Sequence, residues 1–384
     1  MSLIRPFAVF MLYLLYLTII SAFILEIVFR FLPVSTSKFI QPVNDANPIS
    51  HFRKNHLVVI NEEPNFSNVR YKKTNNYGYF SDYDYKPNRT PNKCRSIVIG
   101  DSYVEAKQVD NKEAFHYLLN KKDCETFALA KSGDPFSQYL AYAEFAISEF
   151  NPDNLIFSII TNDYDESLLK YKAEPSSHYF NDNGELKRVD FEPSLLGLIV
   201  RSSSFIYYLY NDLKIHITLQ EKLKQLINDG INHDVEHNKS LIKLERDTIW
   251  DSDVFLEKIN QRLIERERDA IWATDIFIKK IAEIAKHRNV IIVVDGNRRG
   301  IYNGRENRDE STVLGRLNKY LIQKAKHHDN VVVIDMQNFF WEDWVINKKV
   351  FNSQYDYHWN AYGHFVVAKT IHCFSKATPC DYVQ

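Results

Sequence analysis

The chain has 384 residues, 45% of them hydrophobic and 14% aromatic, enough for one large domain with insertions or for two small ones. A formal net charge of −1 supplies none of the basic surface that nucleic acid requires, so no nucleic-acid partner is read. With only 11 glycines against 23 tyrosines and 25 phenylalanines, long flexible linkers are excluded and an aromatic-rich, packed body is expected.

The first element stands apart. From Pro6 to Leu25 no residue is charged, and only Thr18 and Ser21 are markedly polar. At about 1.5 Å rise per residue, such a run spans the ~30 Å hydrocarbon core of a bilayer. A cleaved signal peptide is the alternative, but signals have apolar cores of roughly 7–15 residues and an Ala-x-Ala-like exit, which is missing here. Residues 6–28 are therefore expected to form an uncleaved transmembrane anchor. Arg5 on one side is matched by Arg30 and Lys38 on the other, so flanking charge does not set the orientation. Residues 34–92 are rich in Asn, Pro, Lys and Tyr with little periodicity and read as an irregular stalk or collar.

From Arg95 the pattern alternates between strand and helix. The strands are Ser96–Ile99, Thr126–Leu129, Leu155–Ile160, Val290–Val294 and Val331–Ile334. Helices are expected within Ala106–Leu119 and over Ser137–Glu149. Near-continuous, mostly β-branched apolar runs are what a parallel sheet covered on both faces requires. The predicted fold is α/β: a three-layer α/β/α sandwich with a five-stranded, flavodoxin-like parallel sheet over residues 93–384. A helical insertion of about 166–287 separates the third strand from the fourth. Inside it, Glu245-Arg246-Asp247-Thr248-Ile249-Trp250 recurs as Glu267-Arg268-Asp269-Ala270-Ile271-Trp272. That offset is close to six helical turns, so both copies present one face, either to cover the sheet or to dock a protein partner.

Cys94 and Cys124 each open a strand, and parallel neighbours would bring them to the same end of the sheet. Cys373 and Cys380 could close a short loop in the tail. Two such pairs point to an oxidising compartment, with four free thiols as the alternative. Together with the anchor they place the catalytic body on the extracytoplasmic side.

Functional groups of a doubly wound sheet gather beyond the carboxyl ends of its strands. Four sets arrive there. Ser102 closes Gly100-Asp101-Ser102 after the first strand, and Gly133 follows the second. Asn162, in Ile160-Thr161-Asn162-Asp163, follows the third, and Asp356-Tyr357-His358 follows the last. Ser102 is the candidate nucleophile, His358 its base, and Asp356 the group that orients the ring. The Ser102 and Gly133 amides with the Asn162 side chain are the candidate oxyanion hole. Asp101 and Asp163 are read as turn braces, and His364 as a packed residue. His233 and His237 are i, i+4 but lack a third ligand, so no metal or cofactor is read.

On those residues the sequence resembles the SGNH (GDSL) hydrolase superfamily, which is named for a Ser, Gly, Asn and His drawn from four blocks. The resemblance covers roughly residues 75–374. It departs at Ile160, where the third block usually has glycine, and in an Asp-His spacing one residue short. It implies a serine esterase acting through an acyl-enzyme. With the anchor, the expected substrate is an O-acyl, above all O-acetyl, ester on extracytoplasmic carbohydrate. Two alternatives stay open: an O-acetyltransferase of surface polysaccharide, or an envelope scaffold with a decayed site.

Overall fold

The computed structural model describes residues 4–36, 39–41, 43–160, 163–172, 177–190, 194–215, 219, 252–354 and 356–376. Asn162, His233, His237, Cys380 and the first copy of the repeat at 245–250 lie outside the described residues. In chain order come α1 (Ile4–Phe31), β1 (Leu57–Asn61), β2 (Val69–Lys73), β3 (Cys94–Gly100), α2 (Ser102–Glu105), α3 (Phe115–Leu119), β4 (Cys124–Ala130), α4 (Phe136–Phe150) and β5 (Asn154–Ile159). There follow β6 (Ser177–Phe180), β7 (Leu186–Val189), α5 (Leu195–Ser202), α6 (Ser204–Tyr207), α7 (Ser252–Ile284), β8 (Asn289–Val294), α8 (Arg298–Tyr302), α9 (Val313–Ala325), β9 (Val331–Asp335), α10 (Met336–Asn347) and α11 (Ala361–Lys376).

The chain divides into two compact units. One comprises Met1–Lys38, Leu57–Tyr71 and Pro193–Val254; the other comprises Phe39–His56, Lys72–Glu192 and Phe255–Gln384. The second unit holds the five-stranded sheet, in the order β4-β3-β5-β8-β9, with every neighbouring pair parallel. Numbered among themselves these strands run 2-1-3-4-5, and the winding reverses between β3 and β5. Their alternation explains the unbroken apolar runs. Ile97, Ile99, Phe127, Leu129, Phe157 and Ile292 pack on one face with residues of α4, α7 and α9. Val98, Ala128, Ile156, Ile291 and Val293 pack on the other with α3, α10 and α11. Both faces are covered, so strand residues of either parity are apolar.

The β3–β4 register sets Cys94 opposite Cys124, and the two form a disulfide with Cα atoms 4.4 Å apart. Cys373, on α11, is a free thiol. The second copy of the repeat lies on α7, where Ala270, Ala273, Phe277, Ile278 and Ile281 join the core against the sheet.

The helix expected within Ala106–Leu119 is α3, and α2 before it is capped by Ala106, which has left-handed φ, so that the chain breaks between the two. The buried Lys72 ammonium donates to the carbonyls of Ala106 and Val109 at this break. The interval 166–287 is not helical throughout, because β6 and β7 pair antiparallel within it. Residues 34–92 are not irregular throughout either, since β1 and β2 form a two-stranded sheet.

In the first unit, α1 contains a 23-residue apolar stretch, Val9–Phe31, with mean hydropathy 2.3 and none of it buried. By length and composition it could cross a membrane. Asp212 accepts hydrogen bonds from the Ser35 amide at 3.2 Å and from Asn61 Nδ2 at 3.1 Å, tying the following segments of this unit together.

Candidate active site

β3 ends in Gly100, and a side chain there would bring its Cβ to 2.4 Å from Val104 Cγ2, so glycine permits the tight entry into α2. Asp101 caps that helix. Its Oδ1 accepts the Tyr103 amide at 3.1 Å, and its Oδ2 accepts the Ser102 hydroxyl at 3.0 Å. Asp101 is 1% exposed. Burial pushes its carboxyl up to about 6, against the opposing pull of the Tyr103 and Ser102 hydrogen bonds and of the nearby His358.

The sharp turn after β4 is built around Gly133, whose φ of +81° only glycine adopts without strain. Its neighbours are pinned. The Ser132 amide and hydroxyl both donate to Glu105 Oε2, at 2.6 and 2.8 Å. Lys131 and Asp134, both buried, pair at 2.9 Å, and Tyr142 donates to Asp134 at 2.6 Å. After β5 the carboxylate of Asp163 accepts the Ile160 amide at 2.6 Å and the Tyr139 hydroxyl at 2.8 Å. Burial drives Asp163 well above the ordinary carboxyl range, with the Asp101 charge adding to it. Asp101 and Asp163 thus brace the turns that precede the Ser102 and follow the Asn162 positions.

Asp356 and His358 are adjacent in space. The carboxylate lies 2.8 Å from His358 Nδ1 and accepts the His358 amide at 3.0 Å and Gln108 Nε2 at 2.8 Å. The two groups are within contact distance, but the geometry at Nδ1 falls short of a well-aligned hydrogen bond. The short Asp-x-His spacing accounts for this: one carboxylate reaches both the amide and the ring of a residue only two positions on. Half-burial alone would raise Asp356, but the His358 and Gln108 interactions outweigh it and hold the carboxyl at about 2.

What brings this pair to the serine turn is Tyr103. Its hydroxyl donates to the Tyr357 carbonyl at 2.8 Å, across 254 residues of sequence, and its ring sits 4.8 Å from the His358 ring. Ser102 and His358 therefore share one edge of the sheet, yet the Ser102 hydroxyl bonds Asp101 and not His358. Asn360 caps α11 through the Gly363 amide at 2.8 Å, fixing the turn that carries His358. His364 is buried on that helix, where its Nδ1 accepts the Phe115 amide at 3.3 Å and its ring stacks on Phe115.

A group absent from the expected set also converges here. Arg298 is 6% exposed and binds both oxygens of Asp295, at 2.5 and 2.6 Å, together with Tyr103 Oη at 2.9 Å and the Tyr357 carbonyl. Trp359 Nε1 donates to Asp295 at 3.1 Å. Asp295-Gly296-Asn297-Arg298 follows β8, so its position at a strand's carboxyl end marks the segment but not which of its residues enters the site. A cavity of about 380 Å³ opens here, lined by Tyr103, Ile160, Asp295, Arg298, Asn352 and Tyr357 among others. A larger cavity of about 570 Å³ lies at the opposite, amino ends of the strands beside Cys94–Cys124. The smaller one adjoins the candidate chemistry, and its size suits a small ligand.

No protein-family model matches the chain, and no curated protein matches it in sequence. Among solved structures it is similar to a two-domain esterase (CEX) active on acetylated mannans, co-crystallised with mannopentaose. Identity there is 12% and TM-score 0.37, covering 74% of this chain and 49% of that one. It is also similar to LAE5, an alpha/beta hydrolase enzyme from the metagenome of Lake Arreo, Spain, at 12% identity and TM-score 0.39, covering 74% and 96%. An acetyl xylan esterase, AlAXEase, shows 15% identity and TM-score 0.36, covering 73% and 98%. The chain spans about half the length of the two-domain esterase.

Proposed function

We propose that the chain is a serine ester hydrolase of the SGNH type, held to a membrane by residues 6–28, with its catalytic body on the extracytoplasmic side. The observation that carries the reading is the Asp356–His358 pair brought to the Gly100-Asp101-Ser102 turn through the Tyr103–Tyr357 bond. With Asp356 against Nδ1, Nε2 is the nitrogen left to take the Ser102 proton. On this mechanism the Ser102 hydroxyl, held by Asp101 at rest, turns to that nitrogen when it gives up its proton.

The serine oxygen then attacks the acyl carbon. His358 holds the proton while negative charge grows on the former carbonyl oxygen. The Ser102 and Gly133 amides and the Asn162 amide side chain bind that oxyanion, each donor worth about 3 kcal/mol of barrier. Collapse expels the alcohol, which takes the proton from His358, and leaves an acyl-Ser102 ester. Water hydrolyses that ester by the reverse sequence. The substrate class is an O-acetyl ester, with carbohydrate as the alcohol. If a sugar hydroxyl replaces water in the second half, the same residues make an O-acetyltransferase.

The Ser102–Asp101 bond favours a second reading, a scaffold whose site has decayed. One experiment separates the two. A fluorophosphonate probe should label the purified chain, with peptide mapping locating the adduct on Ser102. Ser102→Ala should lose both label and turnover of a short-chain aryl acetate while keeping its circular dichroism. Turnover retained by a folded Ser102→Ala variant would leave the scaffold reading, or another nucleophile, in its place.

A further inference from the structure

α5 presents an apolar arc to its surroundings. Leu195 and Leu196 are 76% and 71% exposed, and Leu198 and Ile199 are each about half exposed. At 100° per residue these four side chains follow one another around the helix, while Gly197 and Arg201 occupy the opposite side. Isolated exposed apolar side chains need no explanation, but three leucines and an isoleucine on one side of an eight-residue helix do.

The same unit shows what environment this arc meets. No part of the apolar stretch of α1 is buried, and Glu26 is the first charge after the uncharged run from Pro6 to Leu25. On the reading of α1 as a membrane span, Glu26 therefore sits at the edge of the hydrocarbon, where an unpaired carboxylate is costly. It is not unpaired. Its carboxylate accepts the Ser203 hydroxyl at 2.6 Å, the Ser204 amide at 3.2 Å and the Phe205 amide at 3.1 Å. Those donors form the cap between α5 and α6, and the Ser203 oxygen in turn accepts the Ile206 amide at 3.1 Å. Phe29, one turn further along α1, packs on Phe205 and Tyr208 with ring centroids 5.2 and 4.7 Å away. The end of α5 is thus fixed at the depth of Glu26, one residue beyond Ser202. Tyrosines at 207, 208 and 210 follow, the residue type that favours the lipid headgroup level.

We propose that α5 lies in the plane of the lipid–water interface, with its Leu195, Leu196, Leu198 and Ile199 arc sunk among the acyl chains beside α1. This rests on the reading of α1 as the membrane anchor. Glu26 is the clamp that holds the helix there, and the lipid surface that receives α1 receives α5 as well.

The test uses the full chain in phosphatidylcholine–phosphatidylglycerol nanodiscs, with Cys373→Ser and Cys380→Ser and an NBD fluorophore on one introduced cysteine. Leu17→Cys reports the anchor, Leu196→Cys and Ile199→Cys report α5, and Lys187→Cys, on exposed β7, is the aqueous reference. The expected result is blue-shifted emission at 196 and 199, quenching by lipids brominated high in the acyl chain, and iodide quenching several-fold below that at 187. The probe at 17 should be quenched best by lipids brominated near the chain end. Iodide access at 196 and 199 equal to that at 187, with 17 still quenched by lipid, would overturn the interfacial helix and leave the anchor standing. Protection of 196 and 199 from both quenchers would mean that a second copy covers the face, which also overturns it. No lipid quenching at 17 would overturn the anchor reading, and this proposal with it.

Discussion

At the residue scale, Asp101 couples the candidate nucleophile to pH. Its folded carboxyl is raised to about 6, against roughly 4 in an unfolded chain. Between pH ~4 and ~6 the folded protein holds a proton on this group that the unfolded chain has released. Its contribution therefore makes the fold more stable as pH falls through that window and less stable above it. Asp101→Asn keeps a cap acceptor and removes the titration. The variant should gain stability relative to the parent at pH 7 over its standing at pH 4, by about 2–3 kcal/mol as an upper figure. Urea midpoints of the detergent-solubilised protein across pH 4–7 measure it, and parallel curves for parent and variant would refute the assignment.

Arg298 belongs to the same scale. It joins Asp295, Tyr103 and the Tyr357 carbonyl, so its role on the proposed mechanism is to position the segment that carries His358. Lysine retains the charge but lacks the planar fork that reaches these partners and Asn352 together. Arg298→Lys should lower kcat by roughly tenfold or more with KM little changed, since misplacing the base affects the chemical step and not binding. An unchanged kcat would remove Arg298 from the site. The motifs made Ser102, Asp356 and His358 legible as candidates, because each sits in a short recognisable run. Arg298 carries no such run, and its convergence on Tyr103 exists only after 195 residues of chain have folded back. The Ser102–Asp101 bond was likewise invisible, because a hydroxyl rotor is chosen by its surroundings.

At the scale of elements, the strands were legible because burial on both faces leaves an unbroken apolar run that few other structures produce. The break after α2 was not. No Gly or Pro marks it, and its carbonyls are satisfied by Lys72, a partner 34 residues away. β1 was hidden differently: Leu57-Val58-Val59-Ile60 is a strand-like run, but it lies in a stretch whose Asn- and Pro-rich composition pointed to loop. For α7 the duplicated sequence reads first as a helix that covers the sheet, with docking as the alternative, and the packing of its second copy agrees with the first. Phe277 is fully buried, stacked on Phe136 at 4.6 Å and edge-on to Phe157 at 5.5 Å. Phe277→Ala should cost about 3–5 kcal/mol of stability, read from thermal or denaturant unfolding, as deleting a buried ring leaves a cavity that the sheet cannot close. A loss below ~1 kcal/mol would mean that this face of α7 is not part of the core.

For the whole molecule, the Cys94–Cys124 disulfide bears on which side of the membrane the sheet occupies. It joins neighbouring parallel strands 30 residues apart and, on the chain-entropy account, is worth about 3–4 kcal/mol. A bridge of that kind persists in oxidising compartments and is rare where glutathione and thioredoxin keep thiols reduced. The proposed extracytoplasmic placement therefore makes two linked predictions for the chain in its native membrane. Non-reducing peptide mapping should recover the Cys94–Cys124 peptide pair. In sealed right-side-out vesicles, a membrane-impermeant maleimide should label Lys187→Cys, in a Cys373→Ser and Cys380→Ser background, without detergent. The two readouts test different links. A free thiol pair with outside labelling would show that the side is right and the bond dispensable. Labelling only after detergent would reverse the topology, confine the site to cytoplasmic esters, and remove surface carbohydrate from the proposed substrate class while leaving the chemistry at Ser102 open to the same probe.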